Sequence, residues 1–222
     1  MLWQVDSEKG MVNKTPRVSR KVHKGKVRDV KYIPEVRKLA TISKDGNLRI
    51  WDPELNGVRA LNLEGPDGTV PDMEGDVVCM AVQENVLAVG SGAQVSLVDV
   101  RGKQRIHNIR LCHGDYGVRS LVFQDDVLSL GTSRGWLSFI SLRCMDFLPL
   151  NHGDLPKGRS AWKLHHEVGS GWLDEYDREY FSEMLATNAV YAHCWDPSSD
   201  CLFACGGPLA FGLDGCYMGL WR

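Results

Sequence analysis

The residues from His23 to Asp52 read HKGKVRDVKYIPEVRKLATISKDGNLRIWD, and this stretch decides the fold. Val27, Val30 and Tyr32 begin an alternating run that predicts a first strand. Two further strand-like runs follow, and the Lys-Asp-Gly-Asn segment at 44–47 is typical of a hairpin connection. The stretch therefore predicts three short strands joined by turns.

The same unit ends on Trp51-Asp52, about 30 residues after a histidine, and this pattern is typical of a WD-type propeller blade. Later segments repeat its last strand in one register. The equivalent positions are Trp3, Trp51, Val98, Ile140 and Trp221. Their spacings are 48, 47, 42 and 81 residues, against a blade period of roughly 40–45 residues. The last interval therefore holds one blade and about 40 additional residues.

The predicted fold is all-β, a partial WD40 β-propeller with about four blades of a ring of about seven. We expect residues 1–222 to form the C-terminal part of one propeller. The predicted blades are about 23–63, 76–110, 116–148 and 188–222, with residues 1–22 ending a preceding blade and 149–187 forming an insert. A β-sandwich is the alternative, but it would not predict the Trp-Asp register. Because neighbouring blades cover each other's faces, we expect such a partial ring to expose an apolar face and an unpaired edge, and to be poorly soluble.

The insert is predicted to contain a short helix or two. Between Ser170 and Leu185, the aromatic residues Trp172, Tyr176, Tyr180 and Phe181 recur at helical spacing with acidic residues between them. Such a helix would pack on the side or rim of the propeller, or it would face a partner. The sequence leaves both possibilities open.

Composition and charge narrow the class of protein. The chain has 222 residues, 43% of them hydrophobic and 24% charged, and a net charge of −2, which is typical of a globular protein with a sizeable core. The near-neutral charge argues against a nucleic-acid-binding protein, and no apolar run reaches the roughly 20 residues of a membrane span. The N-terminus carries no secretory signal pattern, and the seven scattered cysteines suit reduced thiols. We therefore expect a cytoplasmic and nuclear protein.

No arrangement of residues predicts catalysis, a metal or a cofactor. Cys112-His113 and His193-Cys194 are adjacent pairs, and Cys201-x3-Cys205 is a loose pair, but none has the spacing of a metal site. The sequence contains neither a glycine-rich phosphate loop nor a nucleophile elbow. We expect a protein that is not an enzyme.

A first basic pattern lies where the innermost strands begin. The tripeptides Lys-Val-Arg in the first blade and Gly-Val-Arg in the third occupy one register. Side chains in this register converge on one mouth of the central channel, so Lys26, Arg28 and Arg119 are candidates for binding a carboxylate through charge-assisted hydrogen bonds. The alternative is that each arginine forms a structural ion pair with a neighbouring acid such as Asp29 or Asp115.

A second basic pattern lies at the opposite rim. Asp99-Val100-Arg101 and Ser141-Leu142-Arg143 both place an arginine two residues beyond the Asp position of the Trp-Asp register. Strand alternation makes Arg101 and Arg143 equivalent in adjacent blades. They are candidates for binding a partner, or they lie on solvated turns.

These residues resemble a known family, the WD-repeat substrate receptors of cullin-4 RING ubiquitin ligases. Asp99-x-Arg101 and, with one substitution, Ser141-x-Arg143 are similar to the WDxR box of that family. The C-terminal quarter resembles one receptor of the family more specifically. The matching segments are 171–173, 180–182, 188–194, 202–203, 206–209, 212–213, 215, 217 and 219–221.

The resemblance implies a function. In the family the box arginine docks on the damage-binding-protein adaptor of the ligase, a role that would fall to Arg101 and Arg143. The most similar receptor captures protein C-termini ending in two glutamates, and its pocket residues correspond by motif to Lys26, Arg28 and Arg119. We therefore expect a substrate-recognition subunit whose partners are the adaptor and proteins with acidic C-termini. A propeller scaffold with no ligase role is the alternative, and an enzyme built on a propeller comes third.

Overall fold

The computed structural model of the chain describes residues 2–6, 8–9, 11–15, 23–53, 57–63, 77–102, 105–111, 117–148, 164–165, 188–198, 201–208 and 217–221. Almost all of these residues lie in antiparallel strands or in the short turns between them. The one described helical segment is a 3-10 turn at Pro34–Val36. No described helix is long and apolar enough to cross a membrane.

The first two blades are four-stranded meanders in which each strand pairs with the next along the chain. Blade 1 consists of β3 (Val27–Ile33), β4 (Lys38–Ser43), β5 (Asn47–Trp51) and β6 (Gly57–Asn62). Blade 2 consists of β7 (Val77–Gln83), β8 (Val86–Ser91), β9 (Gln94–Asp99) and β10 (Arg105–Arg110). They are preceded by a hairpin of β1 (Leu2–Asp6) and β2 (Met11–Thr15).

The other two blades repeat the meander with changes at the outer edge. Blade 3 consists of β11 (Val118–Gln124), β12 (Val127–Thr132), β13 (Trp136–Ser141), β14 (Asp146–Phe147) and β15 (Leu164–His165). Both β14 and β15 pair with β13, so the outer edge of this blade is built from two short strands. Blade 4 consists of β16 (Asn188–Asp196), β17 (Cys201–Pro208) and β18 (Tyr217–Trp221).

The four blades share one register. Trp51, Val98, Ile140 and Trp221 pair with Leu39, Leu87, Leu128 and Leu202, which are equivalent residues of the second strands. This equivalence is the one predicted from sequence spacing. It allows any residue in one blade to be compared with its counterparts in the other three.

The blades stack through their first strands. The strands β3, β7, β11 and β16 contact one another in that order, so we call them the inner strands. Buried side chains from facing blades form three clusters, one at each junction. Ile42 and Leu48 of blade 1 pack with Met80 of blade 2, for example, and Leu137 of blade 3 packs with Val190 of blade 4.

The predicted all-β partial propeller is confirmed, but the predicted helical insert is not. Within 149–187 the structure describes only Leu164–His165, which is a strand paired with β13. The aromatic segment from Ser170 to Leu185 lies outside the described residues. Strand β15 pairs with Trp136 and Leu137 at the start of β13, where the single outer strand of blades 1 and 2 also pairs. Part of the insert therefore completes the outer edge of blade 3.

Candidate functional site

The inner strands carry the same irregularity in all four blades. In each, the pairing with the second strand shifts by one residue near the start of the strand, at Val27/Asp29, Val77/Cys79, Val118/Ser120 and Val190/Ala192. The residue left unpaired is Arg28, Val78, Arg119 or Tyr191. A β-bulge re-aims the unpaired residue and increases the local twist. The two predicted arginines therefore occupy one structural position, in blades 1 and 3, at the rim where the inner strands begin, which we call the first rim.

Arg119 is held close to the backbone of its own blade. Gly117 has a φ of 70°, which favours glycine, and a Cβ added there would lie 3.8 Å from Arg119 Nη2. The Nε atom of Arg119 is buried and has no hydrogen-bond partner in the part of the chain that the structure describes. A buried donor without a partner is costly, so this guanidinium has unused capacity to bind an acceptor.

Lys26 and Arg28 lie on the same rim with exposed side chains. The Lys26 carbonyl accepts a 2.9 Å hydrogen bond from the Lys44 amide, which fixes the chain where it enters β3. Arg28 follows two residues later at the bulge.

Asp29 was the neighbouring acid considered for an ion pair with Arg28. Its Oδ2 atom accepts a 2.9 Å hydrogen bond from the Met80 amide and lies 3.8 Å from Lys31 Nζ. Asp29 therefore links blade 1 to blade 2. Asp115, the other acid considered, lies outside the described residues.

Charged groups of two blades affect the thiol of Cys79, which lies in the inner strand of blade 2. Burial, and next the charge of Asp29, raise the pKa of the Cys79 thiol to about 12, while Lys31 and Arg119 act in the opposite direction. Charged groups of blades 1 and 3 thus act on one thiol in the intervening blade.

The other two predicted arginines lie on the second rim, where the inner and third strands end. Arg101 follows β9, and its backbone amide donates a 2.8 Å hydrogen bond to Asp99 Oδ1. Its guanidinium forms a bidentate pair with the same carboxylate, at 3.3 Å from Nε and 3.2 Å from Nη2. The Arg101 hydrogen bonds lower the pKa of Asp99. Arg59 of blade 1 donates to the carbonyls of Asp99 and Gly102, so the neighbouring blade supports this turn.

Arg143 occupies the same place in blade 3 but has a different partner. Its Nε donates a 2.7 Å hydrogen bond to Asp126, in the turn between β11 and β12. The equivalent turn residue in blade 2 is Asn85. The backbone carbonyls of Asn85 and Asp126 each accept a hydrogen bond from the backbone amide of the residue that follows the third strand, Val100 or Leu142. Where blade 3 has Ser141 in place of Asp99, Asp126 supplies the missing carboxylate. Both arginines remain largely exposed, with 66% and 79% of the side chain accessible.

A cavity of about 440 Å³ adjoins Asp126 on the second rim. It lies between blades 3 and 4, and its apolar wall includes Phe139, Leu148 and Trp195. The ring planes of Phe139 and Trp195 meet at 57° with their centroids 6.0 Å apart. The second rim therefore combines exposed arginines with an apolar recess.

Sequence reasoning missed the role of His193, which was considered only as half of a possible metal pair. The structure buries His193 between blades 3 and 4, with Nδ1 2.8 Å from Ser120 Oγ and Nε2 2.9 Å from Ser129 Oγ. Burial lowers its pKa to about 4. Both ring nitrogens are engaged by serines, and the described residues contain no cluster of three or more potential metal ligands. The sequence does contain a sign of this buried polar contact, because two polar residues stand at positions that are apolar in other blades. Ser129 stands where blades 1 and 2 have Ala40 and Ala88, and His193 stands where blades 2 and 3 have Met80 and Leu121.

Comparisons with known proteins bear on the family and the fold of the chain. The family model of the DDB1- and CUL4-associated factor 12 beta propeller matches residues 6–222. A chain in the crystal structure of the Mitotic Checkpoint Complex is 18% identical, with a TM-score of 0.55, over 89% of this chain and 48% of that one. The computationally designed Ika4 protein is 12% identical, with a TM-score of 0.59, over 94% of this chain and 98% of that one. The two structural matches support the fold alone, and the chain spans about half the length of the first. The family match confirms the resemblance predicted from the sequence.

Proposed function

Because this chain belongs to the DDB1- and CUL4-associated factor 12 propeller family, we propose that it forms part of the substrate-recognition subunit of a cullin-4 RING ubiquitin ligase and is not itself an enzyme. The observation that carries the proposal is the family match over residues 6–222. Two arginine pairs at repeated positions on opposite rims support it. One rim would bind the ligase adaptor and the other would bind the substrate.

The second rim suits adaptor docking. Arg101 and Arg143 project from equivalent turns of adjacent blades, and each guanidinium is oriented by a carboxylate. An exposed arginine held in one orientation loses less conformational entropy when it binds. The cavity beside Asp126 would accept an apolar side chain of the adaptor.

The first rim suits an acidic C-terminus. A protein chain that ends in two glutamates carries three carboxylates within a few ångströms. Lys26, Arg28 and Arg119 supply three cationic groups on one rim, and the guanidinium forks match carboxylates. The Arg119 guanidinium, whose Nε has no hydrogen-bond partner among the described residues, would bind one of these carboxylates. Recognition of a terminal carboxylate by clustered donors is a recurring binding mode.

Adaptor binding is tested by capturing purified adaptor on the immobilised chain. We expect Arg101→Ala and Arg143→Ala each to lower capture, and the double variant to abolish it. Arg110→Ala is the matched control, because Arg110 is an exposed arginine at the end of β10, on the other rim. Equal capture by wild type and the double variant would reject the docking role, and the scaffold alternative would then be favoured.

Substrate binding is tested by titrating a peptide that ends in Glu-Glu against the chain. We expect binding at low salt that weakens as salt rises, and a loss of about tenfold in affinity for Arg119→Ala. Arg110→Ala should bind like wild type. A peptide with an amidated or Ala-Ala end should not bind, and equal affinity for such a peptide would remove the acidic-terminus proposal.

A further inference from the structure

Arg59 lies in the outer strand of blade 1, but its side chain reaches the second rim of blade 2. It pairs with Ile50 of β5, which is buried in the cluster between blades 1 and 2. Because residues that pair across two strands lie on the same side of a sheet, the Arg59 side chain faces blade 2. Its Nη1 atom donates hydrogen bonds to the carbonyl oxygens of Asp99, at 3.3 Å, and of Gly102. One nitrogen of blade 1 therefore holds both ends of a turn in blade 2.

This turn, residues 99–102, carries Arg101. It folds back on itself, because a Cβ added to Gly102 would lie 3.9 Å from the Asp99 carbonyl oxygen. On the other side of Arg101, Val100 is 4% exposed and packs in the cluster between blades 1 and 2. Both chain neighbours of Arg101 are thus anchored at the junction of these two blades, while the Arg101 side chain remains largely exposed.

The equivalent turn of blade 3 is held in a different way. There the Ser141 carbonyl accepts a 2.8 Å hydrogen bond from the Met145 amide, so the turn closes within one hairpin. Met145 adopts a φ of 54° at this closure. In blade 2, the register position of Arg59 is occupied by His107, which is exposed. The arginine of blade 3 is therefore supported within its own hairpin, whereas that of blade 2 is supported by the preceding blade.

A guanidinium suits this bridging position. It is planar and permanently charged, and it carries several donors in a fixed arrangement. Hydrogen bonds from a charged donor are roughly twice as strong as those between neutral groups. Arg59 is half-buried, and its Nη2 atom is buried without a hydrogen-bond partner in the described ranges. The bonds from Nη1 to the two carbonyls are therefore the ones that link this side chain to blade 2 in the described structure.

We propose that Arg59 is a positioning residue for adaptor binding, because it holds the turn that presents Arg101. The inference rests on the proposed docking role of the second rim. A turn that is already ordered loses less conformational entropy when it binds a partner. Blade 1 thus contributes to adaptor binding through a side chain that does not itself need to touch the adaptor.

The first test measures the order of the turn and needs no adaptor. Trypsin cleaves the Arg101–Gly102 bond when the turn opens locally, and mass spectrometry at early times gives the rate at that bond. Arg59→Met keeps an apolar stem and removes the donors, so we expect cleavage after Arg101 to be about tenfold faster, with cleavage after Arg143 unchanged. Arg59→Lys keeps one charged donor and should give an intermediate rate. Arg110→Met, in the outer strand of blade 2 but on the other rim, should behave like wild type.

The second test measures adaptor capture in a double-mutant cycle. Arg59→Met should lower capture about fivefold, and Arg59→Lys should restore part of it. The loss should vanish when Arg101→Ala is also present, and it should persist in full beside Arg143→Ala. A general defect of the junction between blades 1 and 2 would instead lower capture equally in both backgrounds.

The outcomes separate this inference from the proposed function. An unchanged rate of cleavage after Arg101 in Arg59→Met would overturn the positioning role, and so would an equal loss of capture in both backgrounds. So would unchanged capture by Arg59→Met when Arg101→Ala lowers it. If Arg101→Ala leaves capture unchanged while Arg59→Met still speeds cleavage, Arg59 orders the turn, but the docking role of the second rim is overturned and the positioning role falls with it.

Discussion

Blade 1 and blade 3 fill the same internal positions with different chemistry. In blade 1 the Thr41 hydroxyl lies 2.8 Å from His23 Nε2 and accepts a 2.8 Å hydrogen bond from Trp51 Nε1. His23 Nδ1 in turn lies 3.5 Å from Asp45 Oδ1. In blade 3 the counterparts of Thr41 and Trp51 are Leu130 and Ile140, both fully buried.

The difference shows what the position requires. Both arrangements fill the space over the second and third strands, on one face of the blade. Apolar side chains fill this space without directional bonds, and their contribution to the free energy of folding scales with the apolar area they bury. A polar network is stable only if its donors and acceptors are matched. We therefore expect the two blades to respond differently to substitution and to pH.

The largest effect is expected in the apolar blade. Ile140→Ala should lower the free energy of unfolding by about 2–5 kcal/mol, because it removes buried methyl groups and leaves a cavity. Urea denaturation followed by tryptophan fluorescence measures this change. Ile140→Val is the matched control and should cost about 0.5–1.5 kcal/mol. Equal losses for the two variants would mean that this site collapses around the missing atoms.

The second effect is a dependence on pH that comes from the other polar network, at His193. Its pKa is lowered to about 4 by burial, so below pH 6.5 the unfolded chain binds a proton that the folded chain does not. The free energy of unfolding should be unaffected by this group above pH 6.5. It should fall by about 3 kcal/mol in total as the pH drops from 6.5 to 4.

His193→Met separates this effect from other titrations. Met80 occupies the same place in blade 2, and the Ser120 and Ser129 hydroxyls keep the carbonyls of Val190 and Val122 as acceptors. The variant should fold and should lose the decline between pH 6.5 and 4. A decline below pH 4 should remain, because Asp45 stays ionised in the folded state. Burial would raise the pKa of Asp45, but hydrogen bonds from Lys24 and Asn47 lower it to about 2.

A smaller effect is expected when the network of blade 1 is replaced by hydrocarbon. Thr41→Val matches the shape of Val89, the counterpart in blade 2, but it leaves the Trp51 indole N–H and His23 Nε2 without a partner. We expect a loss of about 1–3 kcal/mol in the free energy of unfolding. Thr41→Ser keeps the hydroxyl and is the control. Adding Trp51→Phe to Thr41→Val should cost less than the two single losses combined, and strict additivity would contradict the network.

The fold was predictable because its signals are local and repeated. The Trp-Asp register depends on strands of about five residues with hairpin turns such as Asp45-Gly46, and each copy carries the same signals. The shared position of Arg28 and Arg119 followed from that register. The helix predicted from aromatic spacing lies outside the described residues. The spacing gave no sign that Leu164–His165, earlier in the same insert, would complete the edge of blade 3.

The partners of the site residues were not predictable from local sequence. His193 contacts serines 64 and 73 residues away, and Asp126 is 17 residues from Arg143. These contacts arise only after the blades stack or the hairpins close. Ser141 stands in place of the box aspartate, and only the folded turn shows that Asp126 supplies a carboxylate to Arg143.

The smallest effect on stability is expected at that exchanged carboxylate, because exposed ion pairs contribute little. Asp126→Asn should leave the unfolding midpoint nearly unchanged but release Arg143, and adaptor capture should fall severalfold. Adding Ser141→Asp recreates the arrangement of Asp99 and Arg101 in blade 2, so the double variant should recover capture. Asp125→Asn, at the adjacent exposed turn position, is the control for charge alone. If Asp126→Asn lowers capture and Ser141→Asp does not restore it, Asp126 itself contacts the adaptor, and the two rim positions differ in function as well as in sequence.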